Sequence, residues 1–236
     1  METDIFTDDA MKNLQVSAFR WVPPFAQGLV RDLRVRWAIE EAGRDYEAKL
    51  IGFEDQATPD YRQMQPFGQV PAIDENGLVL FESGAIVMHI AEESSALMPA
   101  DPSDRARVKT WMFAALNTVE PPIMMSNFIE MSPLKNDPGV QKLGGDLTKW
   151  VETRLDNVQA FLGDRQYLIA DRFTAADLLM TTVLRILRTT DLLENRPQLR
   201  AYQARCESRP AFKKALDAQL GTFAKNAPPA KAPAGA

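Results

Sequence analysis

Gln69-Val70-Pro71-Ala72-Ile73, Asp74-Glu75-Asn76-Gly77, Leu78-Val79-Leu80-Phe81 and Glu82-Ser83-Gly84-Ala85-Ile86 follow one another without a break, and their reading decides the fold. Two short apolar runs flank Asn76-Gly77, a pair that tolerates positive φ and marks a tight hairpin. The second run passes straight into a helix opening at Ser83, a good N-cap residue. A helix start gathers unpaired N–H groups and the positive end of the macrodipole, so it attracts anions. Glu82 beside it offers a negative charge for an ammonium group. Together they suit a ligand with a carboxylate and an amine on one carbon.

Upstream, Leu14 to Phe19 alternates apolar and polar residues, with Leu14, Val16 and Ala18 on one face, and predicts a strand. Trp21-Val22-Pro23-Pro24-Phe25 ends it, since adjacent prolines fix φ and remove donors. A helix is expected from about Gly28 to Ala42, with Gly43 terminating it. Tyr46 to Ile51 predicts a second strand, and Thr58-Pro59-Asp60 opens a short helix or turn ending near Gln65. Strand, helix, strand, short helix, strand, strand, helix is a small α/β layer with helices packed on a mixed sheet.

After Ala91 the strand signal stops. Leu97-Met98-Pro99-Ala100-Asp101-Pro102 is a proline-punctuated linker, and the chain beyond it reads as helices. These are expected at 104–131, broken near Pro121-Pro122, at 140–162, after Thr174-Ala175-Ala176-Asp177, at 198–205 and at 210–220. The domains are therefore 13–92, a linker at 93–103, and an all-helical 104–223. Residues 1–12, a polar leader, and the Pro/Ala-rich 224–236 both read as disordered.

The 236 residues include 45% hydrophobic and 25% charged side chains, with a formal net charge of -5. That is ordinary globular composition, and it gives no reason to expect nucleic acid as a partner. No apolar stretch approaches the roughly 20 residues of a membrane span. The acidic leader lacks the order of a signal peptide, and the single cysteine excludes an internal disulfide framework. A reducing, cytoplasmic location is expected. No metal-ligand spacing, phosphate loop or dinucleotide fingerprint is present.

Three segments carry a family resemblance. Gln65-Pro66-Phe67-Gly68-Gln69-Val70-Pro71-Ala72-Ile73 matches an N-P-x-G-x-V-P-x-L pattern, and Leu80-Phe81-Glu82-Ser83-Gly84-Ala85-Ile86 an E-S-x-A-I pattern. Tyr167-Leu168-Ile169-Ala170-Asp171-Arg172-Phe173-Thr174-Ala175-Ala176-Asp177 matches a helical-domain capping segment. In this order and spacing the chain resembles the glutathione S-transferases. The resemblance implies a thioredoxin-like α/β N-terminal domain, an all-α C-terminal domain and glutathione as co-substrate. It implies that Pro71 is cis, so that Val70, flanked by Gln69, presents its backbone to the cysteinyl part of glutathione. Glu82 and Ser83 would take the γ-glutamyl amine and carboxylate, and Thr174 and Asp177 would cap a buried helix.

One feature departs from the family. Its members usually activate the thiol with a Tyr, Ser or Cys after the first strand. Here Arg20-Trp21-Val22-Pro23-Pro24-Phe25-Ala26-Gln27-Gly28 holds no hydroxyl or thiol. The remaining donors in this segment are the Arg20 guanidinium, the Trp21 indole and the backbone N–H of Phe25 or Ala26. Ser17 lies inside the strand.

Other residues have plainer readings. His89 reads as a packed or half-buried helix residue and Cys206 as structural or surface, not a nucleophile. Arg31, Arg34 and Arg36 read as the solvated side of the first helix, with a dimer contact as the second choice. Pro121 to Met125 reads as core or wall packing, with an apolar co-substrate site as the alternative. The expected function is addition of the glutathione thiolate to a small electrophile by a homodimer. The alternative is a glutathione-binding or scaffold protein of the same fold without turnover.

Overall fold

The computed structural model describes residues 14–229. The hairpin forms as read: β3 (Ala72–Glu75) and β4 (Leu78–Phe81) pair antiparallel around Asn76-Gly77, both at positive φ. Strand β1 (Leu14–Phe19) lies against β3 antiparallel and against β2 (Glu47–Ile51) parallel, giving the order β2-β1-β3-β4. Helices α1 (Asp32–Glu41), α2 (Pro59–Met64) and α3 (Ser83–Glu92) complete this layer. The helical part comprises α4 (Pro102–Ala114), α5 (Glu120–Met131), α6 (Pro138–Leu162), α7 (Ala175–Leu184), α8 (Pro197–Glu207) and α9 (Pro210–Lys225).

One apolar core runs through both parts, because α1 packs on α3, α7 and α9. Trp37 is the largest side chain fully buried in it. Its ring sits 5.4 Å from that of Phe173 and 4.8 Å edge-on to that of Phe212, and its indole N–H donates to Glu41 at 2.9 Å. Burying a side chain of this size adds about 2 to 3 kcal/mol to the closure of the two parts on one another.

Thr174 and Asp177 form the expected capping box at the start of α7. Asp177 also accepts from the Leu168 N–H and the Tyr202 hydroxyl, so one buried carboxylate satisfies four donors.

Several expectations are corrected. Helix α1 begins at Asp32 and not at Gly28, because residues 28–31 form turns pinned from α9. Arg34 and Arg36 are buried at 3% and 2% exposure; they are not a solvated face. Arg36 pairs with Asp32 at 2.7 Å, and Arg34 turns into the interior. The 104–131 helix is interrupted before its prolines, by a π-helical stretch over Ala115–Val119. Pro121 and Pro122 have no N–H to return to the carbonyls four residues back, which fall in that stretch.

Ser83 is the first residue of α3, and the capping position falls to Glu82 at φ 67°. Helix α9 continues through Lys225, past the point where disorder was expected. The expectations for 1–12 and 230–236 lie outside the described residues. Among the described residues, no helix is long and apolar enough to cross a membrane.

Candidate functional site

A hydrogen-bond relay fixes the backbone on either side of Val70-Pro71. The Ala72 N–H donates to the Ser17 hydroxyl at 2.7 Å, Ser17 meets the Tyr61 hydroxyl at 2.9 Å, and Tyr61 donates to the Gln69 carbonyl at 2.6 Å. The Val70–Pro71 peptide is cis. Ladder pairing begins only at Ala72, so Val70 stands off the sheet with its backbone N–H and C=O available to an extended ligand. Gly68, at φ +64°, starts this turn, and a side chain there would collide with the Gln56 carbonyl.

Glu82 and Ser83 stand beside this rung at the β4–α3 junction. A glutamate at φ 67° is held in a region that non-glycine residues seldom enter, a condition common at ligand clamps. Gly84 admits the close packing of the chain beyond α4 there, since an added Cβ would strike Leu116.

Gln69, Val70, Pro71, Glu82 and Ser83 line one wall of a cavity of about 390 Å³. Arg31 and Arg34 from α1 and its approach, and Glu120, Pro121 and Met124 from α5, line the other. Among the described residues, the sequence reading found the first wall and missed the charged part of the second.

That part is a connected ion network. Arg34 gives Nε to Thr182 at 3.1 Å, Nη1 to the Ser83 hydroxyl at 3.2 Å and Nη2 to Glu120 at 3.0 Å. Arg31 donates to the same Glu120 oxygen through Nε at 3.2 Å and Nη2 at 2.8 Å. Burial alone would raise the Glu120 carboxyl, but the charges and hydrogen bonds of Arg34 and Arg31 hold it below the usual range. Burial pulls the Arg34 guanidinium down, with Glu120 opposing. The net reading is an ionised carboxylate shared by two cations, stabilised by its partners and costly to break.

The expected thiol-activating groups lie elsewhere. Arg20 is exposed and paired with Glu54 at 2.8 Å and Asp55 at 3.0 Å. Phe25 is 65% exposed with its carbonyl accepting from Arg188, and Trp21 is half-buried. None of the three lines the cavity. Arg20 is drawn outward by those two ion pairs, and Phe25 lies beyond the Pro23-Pro24 turn. Pro121 and Met124 do line it, so the alternative reading of that segment is the one the geometry favours. His89 is half-buried, as expected, and pairs with Glu75 at 2.8 Å away from this site.

A thioredoxin-like sheet carrying a ligand cavity against an all-helical partner defines the class of this protein. Glutathione S-transferase N-terminal and C-terminal domain models match residues 27–92 and 137–219. A glutathione S-transferase from Hyoscyamus muticus is 30% identical over 199 residues, covering 78% of this chain and 92% of the relative. Glutathione S-transferase 1 from Zea mays is 31% identical over 195 residues, covering 77% and 88%. The crystal structure of glutathione transferase F7 from Populus trichocarpa superimposes with a TM-score of 0.74 at 27% identity, over 89% of this chain and 99% of that one. A Burkholderia graminis glutathione transferase with two glutathione molecules per subunit shares the fold at TM-score 0.76 and 23% identity, over 87% of this chain and 88% of its own. The chain belongs to the glutathione S-transferase family.

Proposed function

We propose that this protein conjugates glutathione to a small electrophile in the cavity between the sheet and α5. The observation that carries the reading is the Val70 rung, free of the ladder, in one cavity with Glu82 and Ser83. The rung pairs with the cysteinyl backbone, flanked by Gln69 and Pro71. Glu82 takes the γ-glutamyl ammonium, while Ser83 and the first amides of α3 take its carboxylate. Arg34, hydrogen-bonded to Ser83, adds positive charge at that end.

The thiol proton passes to solvent, and the thiolate attacks the electrophilic carbon. An S–C bond forms and, for an aryl halide, the halide departs with its electron pair. Pro121, Met124 and Leu116 give the electrophile an apolar wall. Holding both reactants in one cavity lowers the barrier by orientation.

The reading also places the protein in the cytoplasm, where glutathione is kept reduced. It pairs two copies through the exposed apolar side chains around β4 and α4. Calorimetric titration with glutathione tests it, together with turnover of an aryl halide. Ser83→Ala is expected to weaken binding by about tenfold or more, the scale of one hydrogen bond to a charged group. Binding that ignores Ser83 and Glu82 alike would overturn it.

A second reading, glutathione binding without conjugation, is favoured by one observation. Ser83 is the only hydroxyl among the described lining residues and it is engaged by Arg34. Tight binding with no turnover across several electrophile classes would select that reading.

A further inference from the structure

We propose that Arg31 is the group that holds the glutathione sulfur as a thiolate. The proposal rests on reading the cavity as a glutathione site, and it fills the role for which this chain has no hydroxyl or thiol.

The cavity has two cations among its lining residues, and they are not equivalent. Arg34 is buried with all three guanidinium nitrogens committed, to Thr182, Ser83 and Glu120. Arg31 commits only the Nε and Nη2 edge, both to Glu120, and no described residue accepts from Nη1. Its side chain is 42% exposed, against 4% for Arg34. Arg31 therefore lines the cavity that Val70 shares, on a guanidinium clamped along its Nε and Nη2 edge and with no described acceptor on Nη1.

The backbone under Arg31 is clamped as well. Gln219 of α9 accepts from the Gly28 N–H at 3.2 Å and donates to the Val30 carbonyl at 3.2 Å and to Asp32 at 2.6 Å. Arg185 donates to the Gly28 carbonyl at 3.0 Å. A donor held this way loses little entropy when a ligand arrives.

The charges agree with this assignment. The charged lining residues are Arg31, Arg34, Glu82 and Glu120. Glu120 neutralises one of the two arginines, and Glu82 is left for the ligand's ammonium. Arg34 serves the γ-glutamyl carboxylate end through Ser83, so Arg31 is the arginine left to face the sulfur. A guanidinium keeps its proton across the working range, so Arg31 acts as donor and counter-charge and not as base. The thiol proton goes to water, and the new charge on sulfur is met by the Nη1 N–H.

Three competing groups are excluded by position. Ser17 is consumed by Tyr61 and Ala72, and Arg20 by Glu54 and Asp55. Cys206 is fully buried in the helical core.

The test titrates the thiol of bound glutathione by thiolate absorbance, with affinities for glutathione and S-methylglutathione measured alongside. Wild type is expected to lower the pKa of the bound thiol by about 1 to 2, the scale of one charge-assisted hydrogen bond. Arg31→Gln is expected to return that pKa to the value of free glutathione. It should leave the S-methylglutathione affinity within about threefold, since that analogue has no thiolate to lose. Its kcat/KM at acidic pH should fall in step with the lost thiolate fraction, about tenfold or more. Arg31→Lys should restore part of the effect as a point charge. A depressed thiol pKa that survives in Arg31→Gln, or an unperturbed thiol in wild type, overturns the role of Arg31 while the glutathione site stands. Failure of wild type to bind either tripeptide overturns both.

Discussion

Ser17 and Tyr61 share a hydrogen bond of 2.9 Å, and that contact couples the middle of β1 to the rung that receives the ligand. Tyr61 can donate to the Gln69 carbonyl only while its oxygen accepts from Ser17, and Ser17 in turn accepts from the Ala72 N–H. The only hydroxyl in β1 is thereby committed to shaping the site and is not left to activate a thiol.

Tyr61→Phe is expected to keep the ring in place and break the relay at its centre. Stability should fall by about 1 to 2 kcal/mol, because the Gln69 carbonyl and Ser17 lose a partner in a buried setting. Glutathione affinity should fall too, as residues 69–71 gain freedom. Ser17→Ala should act through the same relay, so the two losses should be less than additive in a double-mutant cycle. Strict additivity in chemical denaturation would refute the coupling.

Asp177 sets a second expectation, on pH. Burial outweighs its four hydrogen bonds and raises its carboxyl to about 6. In the unfolded chain it titrates near 3.9. Between those values the folded protein binds a proton that the unfolded chain has released, so stability falls as pH rises from about 4 to about 6 and then levels. The contribution is on the order of 3 kcal/mol. Asp177→Asn removes this slope, while costing acceptor capacity opposite the Thr174 N–H. Urea unfolding should therefore show the wild-type advantage over the variant to be larger near pH 4 than near pH 7. A gap that does not change with pH would contradict the assignment.

The hairpin, the rung and the junction at Glu82-Ser83 were legible because they are local: alternation, Asn-Gly, and a strand running into a helix. The position of the helix start was not, since it depends on Glu82 adopting φ 67°, a conformation that a glutamate does not announce. Arg34 and Arg36 were misread for a related reason. Arginine usually faces water, and only long-range partners reverse that. Glu120 lies on a different domain, and Gln219, which supports Asp32 beneath Arg36, lies on the last helix. Periodicity along one helix carries no record of either. Looking for the activating group near the end of β1 pointed to Arg20, Trp21 and Phe25, whereas the Pro23-Pro24 turn and the α9 contacts bring Arg31 to the cavity.

Arg20→Ala is accordingly expected to leave conjugation and glutathione affinity unchanged. Its ion pairs with Glu54 and Asp55 are solvent-exposed, so the stability cost should stay within about 1 kcal/mol. Parallel kinetics for Arg20→Ala and Arg31→Gln would separate the two arginines. A matching loss in both would return the activating role to the β1 end.

Cys206 should be silent toward thiol reagents in the native protein. Burial is the main reason its thiol is pushed up to about 12, and the nearby Asp177 adds to it. The thiolate fraction is then negligible at neutral pH, and the sulfur is out of reach of solvent. Maleimide labelling should proceed only as fast as the chain opens, and Cys206→Ala should conjugate like wild type. Rapid stoichiometric labelling of the folded protein would disprove this.

The proposed pairing of two copies can be tested at Phe67. It is 64% exposed, on the loop after α2, and rests edge-on to Phe81 at 6.1 Å. Strand β4 is the edge of the sheet and exposes Leu78 and Val79, and Phe113 of α4 is exposed as well. Between α3 and α4 lies a recess of about 290 Å³ lined by Gly84, Ala85, Met88, Met112, Phe113 and Leu116, with Glu82 and Asn117 on the side it shares with the ligand cavity. An aromatic anchor beside an apolar recess is self-complementary under a two-fold axis, with each copy supplying both parts. Phe67→Ser should shift sedimentation from dimer toward monomer at micromolar concentration, weakening association by about 2 kcal/mol or more. The proposed glutathione contacts at Val70, Glu82 and Ser83 lie within one chain, so the monomer should still bind glutathione. A wild-type chain that sediments as a monomer at every accessible concentration would rule the interface out.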